Sequence, residues 1–106
     1  MDAMILNISF FCADASLNAL EDALRRYVKP VVAATEHLWL KLKEVQGQTP
    51  PPDEPQSIAL QCRFANMQQL SAFRNGDFAL ALKQLSAALP PQQCMVFETI
   101  LESAEI

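Results

Sequence analysis

A single histidine, three cysteines and twelve carboxylates are the groups with which this chain of 106 residues could do chemistry. His37 lies in the run EHLWLKLKEV, residues 36 to 45, beside the only tryptophan, Trp39. It is the one side chain whose charge changes near neutral pH without help from its surroundings. Facing an amide such as Asn7 or Gln61, it could act as a general base or orient a ligand. The plainer reading is a partly exposed histidine at the start of a strand. Trp39 suits stacking on a flat ligand or anchoring a contact between subunits.

The other reactive groups point away from catalysis. Cys12, Cys62 and Cys94 are odd in number, widely spaced and set in apolar sequence, a pattern of buried reduced thiols rather than of a disulfide framework. Cys12 and Cys62 fall on a core-facing parity, where a thiolate is costly. Glu98 and Glu102, four residues apart on one strand, are separated by about 13 Å, too far to work on one substrate bond. There is no CxxC and only one histidine, so no zinc site is expected. Gly47 and Gly76 are the only glycines, so no phosphate-binding loop exists. No cofactor is expected.

These residues must be positioned by elements that the hydrophobic pattern outlines. MILNISFFC, residues 4 to 12, reads as a strand with Met4, Leu6, Ile8 and Phe10 on its core face. Leu17, Leu20, Leu24 and Tyr27 or Val28 form the apolar stripe of a helix, capped by Asp14 or Ser16 and ended or kinked at Pro30. EHLWLKLKEV is then a strand, with Leu38, Leu40 and Leu42 read as facing the core and His37, Trp39, Lys41 and Lys43 as facing away. Residues 47 to 55 form an exposed proline-rich loop.

A third strand over 56 to 64 alternates cleanly, with Ile58, Leu60, Cys62 and Phe64 on one face. Asn66 and Gln69 resemble a capping pair that opens a second helix, NGD at 75 to 77 interrupts it, and Phe78, Leu82, Leu85 and Leu89 carry the helical stripe on to Pro90 and Pro91. Residues 94 to 103 form the last strand. The order βαββαβ is the ferredoxin-like plan of an α+β fold, with a four-stranded antiparallel sheet ordered 4-1-3-2 and helices on one face. One domain spans residues 1 to 106, with 1 to 3 as a short extension.

With helices on one face, the other is expected to present Ile5, Asn7, Ser9 and Phe11 from the first strand and His37, Trp39, Lys41 and Lys43 from the second. Ser57, Ala59, Gln61 and Arg63 join them from the third, with Val96, Glu98, Ile100 and Glu102 from the fourth. So much exposed apolar bulk marks an interaction surface, and the acidic fourth strand could meet the basic strands of a second copy. The expected ligand or dimer face is therefore Asn7, Ser9, Phe11, His37, Trp39, Lys41, Gln61, Arg63, Glu98 and Ile100, with His37 the one catalytic candidate.

MILNISFF, YVKPVVAAT, LWLKLKEV, IALQCRF and FETILE together resemble an uncharacterised bacterial family of domains of unknown function with a ferredoxin-like, dimeric α/β-barrel fold. The resemblance covers nearly the whole chain from Met4 and implies a homodimer without naming an activity. Dimeric α/β barrels include cofactor-independent monooxygenases and haem-degrading enzymes, but in the haem enzymes the histidine lies on a helix, whereas His37 opens a strand.

A net charge of −4 without a basic stripe argues against nucleic acid, and the short apolar runs argue against a membrane span. No signal peptide is evident at the N-terminus, so a cytoplasmic location is expected. The leading reading is a homodimer that binds a partner or small molecule on its sheet face. The alternatives are a cofactor-independent monooxygenase or isomerase using His37 with Asn7 or Gln61, and a purely structural module.

Overall fold

The computed structural model describes residues 3–12, 16–41, 56–89 and 94–104. Asp14, Leu42, Lys43, the proline-rich loop, Pro90 and Pro91 lie outside them. The central strand β1 (Met4–Cys12) is paired along its whole length on both sides, antiparallel to β3 (Gln56–Phe64) and to β4 (Cys94–Glu102). β2 (Glu36–Lys41) completes the sheet against β3. The order β2-β3-β1-β4 is the expected 4-1-3-2 counted from the other edge.

Period-two alternation decides what β1 buries. Leu6, Ile8, Phe10 and Cys12 are inaccessible to solvent, while Ile5, Asn7, Ser9 and Phe11 are half-buried on the opposite face. From β3, Ile58, Leu60 and Cys62 join the buried side. Leu20, Leu24, Val28, Leu70, Phe78 and Leu85 from the helices close that core from above. Ala3, the last residue of the expected short extension, is buried and continues the β1 to β4 pairing: Ser103 N–H donates to its carbonyl at 2.9 Å, and its own N–H donates to Ser103 Oγ at 2.8 Å.

Pro30 does not end the first helix. The path is α1 (Leu17–Ala23), a π turn (Leu24–Val28) and α2 (Lys29–Val32), with Pro30 in the first turn of α2. In a regular α-helix the proline ring would collide with the carbonyl of Arg26 and leave it without a donor. The π turn, in which Lys29 N–H donates to Leu24 O five residues back, widens the helix just before that clash would occur. Ser16 occupies the N-cap position, although its side chain makes no capping bond.

α3 (Met67–Asn75) begins as its sequence indicates, with Asn66 Oδ1 accepting from Gln69 N–H at 2.9 Å and Gln69 Oε1 accepting from Ala65 N–H at 3.4 Å. Asp77 enters the first turn of α4 (Asp77–Ala88), and Gly76 takes the N-cap position. Phe73 lies 5.1 Å from Phe78 and 5.2 Å from Phe64, ring centre to ring centre, which ties both helices to the end of β3.

Gly76 makes this sharp connection by close approach: a Cβ there would stand 2.8 Å from the Ala72 carbonyl oxygen. Gly76→Ala should therefore cost about 1–3 kcal/mol in urea unfolding, because backbone rather than a flexible side chain must give way. An unchanged midpoint would show that the turn has room to spare.

Candidate functional site

The sheet has one face under the helices and one open, and pairing register assigns each β2 and β4 side chain to a face. His37, Trp39 and Lys41 stand opposite Cys62, Leu60 and Ile58, all buried, so they belong to the helix side. Leu38 and Leu40 stand opposite Gln61 and Ala59 on the open side, 54% and 42% exposed. This reverses the orientation expected for the strand. Trp39 packs against the main core, because its indole buries more apolar surface than a leucine would at the same edge.

β4 is reversed in the same way. Val96, Glu98 and Ile100 lie opposite Phe10, Ile8 and Leu6 on the helix side, whereas Met95, Phe97, Thr99 and Leu101 share the open face with β1's Phe11, Ser9, Asn7 and Ile5. Of the ten residues expected on one face, the open side thus holds Asn7, Ser9, Phe11, Gln61 and Arg63. His37, Trp39, Lys41, Glu98 and Ile100 are on the other.

Charges follow the same division. On the helix side Lys41 Nζ is 3.2 Å from Glu21, and Arg74 Nε donates to Glu98 at 2.6 Å. On the open side Arg63 and Glu36 pair at 3.9 Å. The expected attraction between an acidic β4 and basic strands of another copy therefore has no basis in Lys41 and Glu98, whose partners are helix residues of the same chain. Such partly exposed pairs contribute at most about 1 kcal/mol each.

The open face is mainly apolar, with Phe97 and Met95 exposed by 52% and 57% and Phe11 edge-on to Phe97 at 5.6 Å. At its centre Gln61 Nε2 donates to Asn7 Oδ1 at 3.2 Å. Toward β2, Ile5, Glu36, Leu38, Gln61 and Arg63 line a shallow depression of about 210 Å3, together with His37 and Cys62.

The helix side has a groove of about 330 Å3 between the first helix and β2, bordered by Leu24, Lys29, Trp39 and Lys41. His37 Nδ1 lies 2.7 Å from the Thr35 carbonyl oxygen, which can only accept, so that nitrogen is the donor. By register Asn7 and Gln61 point to the opposite face from His37, although Gln61 and His37 both border the depression at the β2 edge and Asn7 does not. Burial pushes the Cys62 thiol up to about 11, which keeps it protonated at neutral pH. Among the described residues, no three His, Cys, Asp or Glu side chains converge as a metal site. No helix among them is long and apolar enough to cross a membrane.

Leu38, Leu40, Met95, Phe97 and Leu101 are the residues that sequence reasoning missed. For β4 the signal is ambiguous, since both parities are rich in large apolar side chains. For β2 it lay in Trp39 and Lys41, whose long apolar bodies can cover a core edge while the polar ends reach outward.

No family model and no curated protein matches the chain. Among solved structures, it is similar over its whole length to a protein of unknown function from Nitrosomonas europaea, at 22% identity, 95% coverage of that chain and a TM-score of 0.59. It also resembles a cofactor-independent oxygenase from Streptomyces nogalater at 9% identity and a TM-score of 0.61, with 97% of this chain and 95% of that one covered. A de novo designed protein shares the fold equally fully, with 100% of both chains covered, 8% identity and a TM-score of 0.54. At these identities the likeness establishes a ferredoxin-like fold, and a designed relative underlines that the fold alone carries no activity.

With its indole turned to the helices, Trp39→Ala should lower stability by roughly 2–4 kcal/mol in urea unfolding. It should leave the sedimentation coefficient at native conditions unchanged. A change of oligomeric state with stability intact would return Trp39 to the open face.

Proposed function

We propose that the chain is a binding module that works as a homodimer, two copies laying their open sheet faces against each other. The observation that carries this reading is the exposure of Leu38 and Leu40 along the β2 edge and of Met95, Phe97 and Leu101 along the β4 edge of the same open face. Patches of that character on a small protein mark an interaction surface.

Size favours a second copy as the occupant. Three strands of about 30 Å and a shorter β2 of about 20 Å, at about 4.8 Å spacing, present a flat projection of roughly 530 Å2. Corrugated side chains bring that near the ~800 Å2 per partner of a stable interface. Sheets packed face to face interleave their side chains at about 10 Å separation, which suits Leu38 on the β2 edge and Phe97 on the β4 edge as apolar anchors flanking the polar centre. A two-fold arrangement makes each contact twice, so a modest patch is doubled in effect.

Asn7, Ser9, Gln61 and Arg63 supply the polar part of this face. In a sheet-on-sheet dimer of the α/β-barrel kind they border the space between the two copies, together with the depression at Arg63 and Glu36. A small polar molecule held there would find amide donors and acceptors and one guanidinium. A cytoplasmic setting belongs to the same reading, supported by three cysteines that the fold does not join into disulfides.

Sedimentation equilibrium at micromolar concentration should give twice the chain mass for the wild type. Phe97→Asp and Leu38→Asp should each weaken the dimer by at least tenfold, with circular dichroism unchanged, since a buried unpaired charge is costly. A monomeric wild type would refute the proposal.

A further inference from the structure

Cys12 and Cys94 stand directly opposite each other where β1 pairs with β4. Opposed residues of an antiparallel pair have Cα atoms about 4.5–5.5 Å apart, inside the roughly 4.4–6.8 Å that a disulfide spans. Both side chains lie on the helix side of the sheet, with Cys12 buried and Cys94 half-buried. Neither takes part in a disulfide.

The two sulfurs differ in access. Cys12 is buried, whereas Cys94 is half-buried and lines a pocket of about 190 Å3 with Phe10, Leu85 and Leu89. A pocket of that size and apolar character admits a small uncharged oxidant. Cys62 has neither advantage: it is fully buried, and the residues opposite it are Leu6 and His37, so no second sulfur faces it.

We propose that Cys12 and Cys94 form a cross-strand dithiol that a hydroperoxide converts reversibly into an intramolecular disulfide, Cys94 being the sulfur that meets the oxidant. The Cys94 thiolate attacks one oxygen of hydrogen peroxide, and the O–O bond breaks. The departing hydroxide takes up the proton that the thiol released, giving water and a sulfenic acid on Cys94. Cys12 sulfur then attacks Cys94 sulfur, the S–O bond breaks, and hydroxide leaves with the Cys12 proton as a second water. Two thiols and one peroxide thus give one disulfide and two waters.

Burial raises the Cys94 pKa, and the neighbouring Cys12 side chain draws it partly back. The thiolate is therefore a minor species at neutral pH, and the site responds to sustained oxidant rather than to traces. Closing the bridge fastens the first residue of an edge strand to the centre of the sheet, and a thiol reductant releases it.

The test treats the reduced full-length chain with a few equivalents of hydrogen peroxide, read by intact mass and by peptide mapping after alkylation. The expected product has lost the mass of two hydrogens, yields a linked Cys12 and Cys94 peptide pair, leaves Cys62 alkylated and reverts with dithiothreitol. In Cys12→Ser the same treatment should leave a sulfenic acid on Cys94 that dimedone traps. Because Cys12 lies in the core, Cys62→Ala serves as a second variant and should still form the bridge. A bridge that includes Cys62, one that forms only in denaturant, or oxidation of Cys94 to the sulfinic acid without a bridge would overturn the proposal.

Discussion

The register of β1 between β3 and β4 is the constraint on which the rest of the molecule depends. Side chains alternate with a period of two, so sliding a strand by one residue would carry its whole buried set to the other face. Leu6, Ile8, Phe10 and Cys12 fix β1 without ambiguity, since all four are inaccessible to solvent. Every other face assignment follows from pairing to it: Ile58, Leu60 and Cys62 through β3, then Trp39 through β3, and Phe97 through β4.

That inheritance leaves the helix layer to finish the two edges with amphipathic side chains. Trp39 and Lys41 extend from β2 to the first helix, Lys41 ending on Glu21, and Glu98 extends from β4 to Arg74 of α3. The charged ends stay near water while the stems cover the rim of the core. The first helix in turn has to stay continuous past Pro30 to set Val32 into that core, and the π turn at Leu24–Val28 makes this possible. Sequence features that look irregular, a mid-helix proline and a tryptophan among leucines, are thus both answers to the same need to cover one face fully.

Architecture was legible where one parity is plainly apolar and the other plainly polar. β3 comes nearest to that condition, and in β1 an unbroken apolar parity opposes a mixed one that includes Ile5 and Phe11; the bounds and buried residues of both follow, and Asn66 and Gln69 likewise announced the start of α3. β2 and β4 do not meet it. Counting leucines favours Leu38 and Leu40 as core, yet transfer of an indole outweighs a leucine, and the pairing to Leu60 selects Trp39. In β4, Val96 and Ile100 compete with Met95, Phe97 and Leu101 on nearly equal terms, so only the register with β1 decides. The same loss of parity put His37 on the face of Asn7 and Gln61, whereas the register turns it to the helix side and leaves it beside Gln61 only at the β2 edge.

The division of β2 into an inner tryptophan and outer leucines is the central claim, and Trp39, as the only tryptophan, reports on it directly. Its fluorescence emission and quenching by acrylamide should be measured while the protein is diluted from a high concentration, and again in Phe97→Asp. The account predicts emission shifted toward shorter wavelength than free tryptophan, with quenching that stays constant throughout, because the helices rather than another copy cover the indole. Quenching that rises on dilution, or in Phe97→Asp, would place Trp39 on the open face and contradict it.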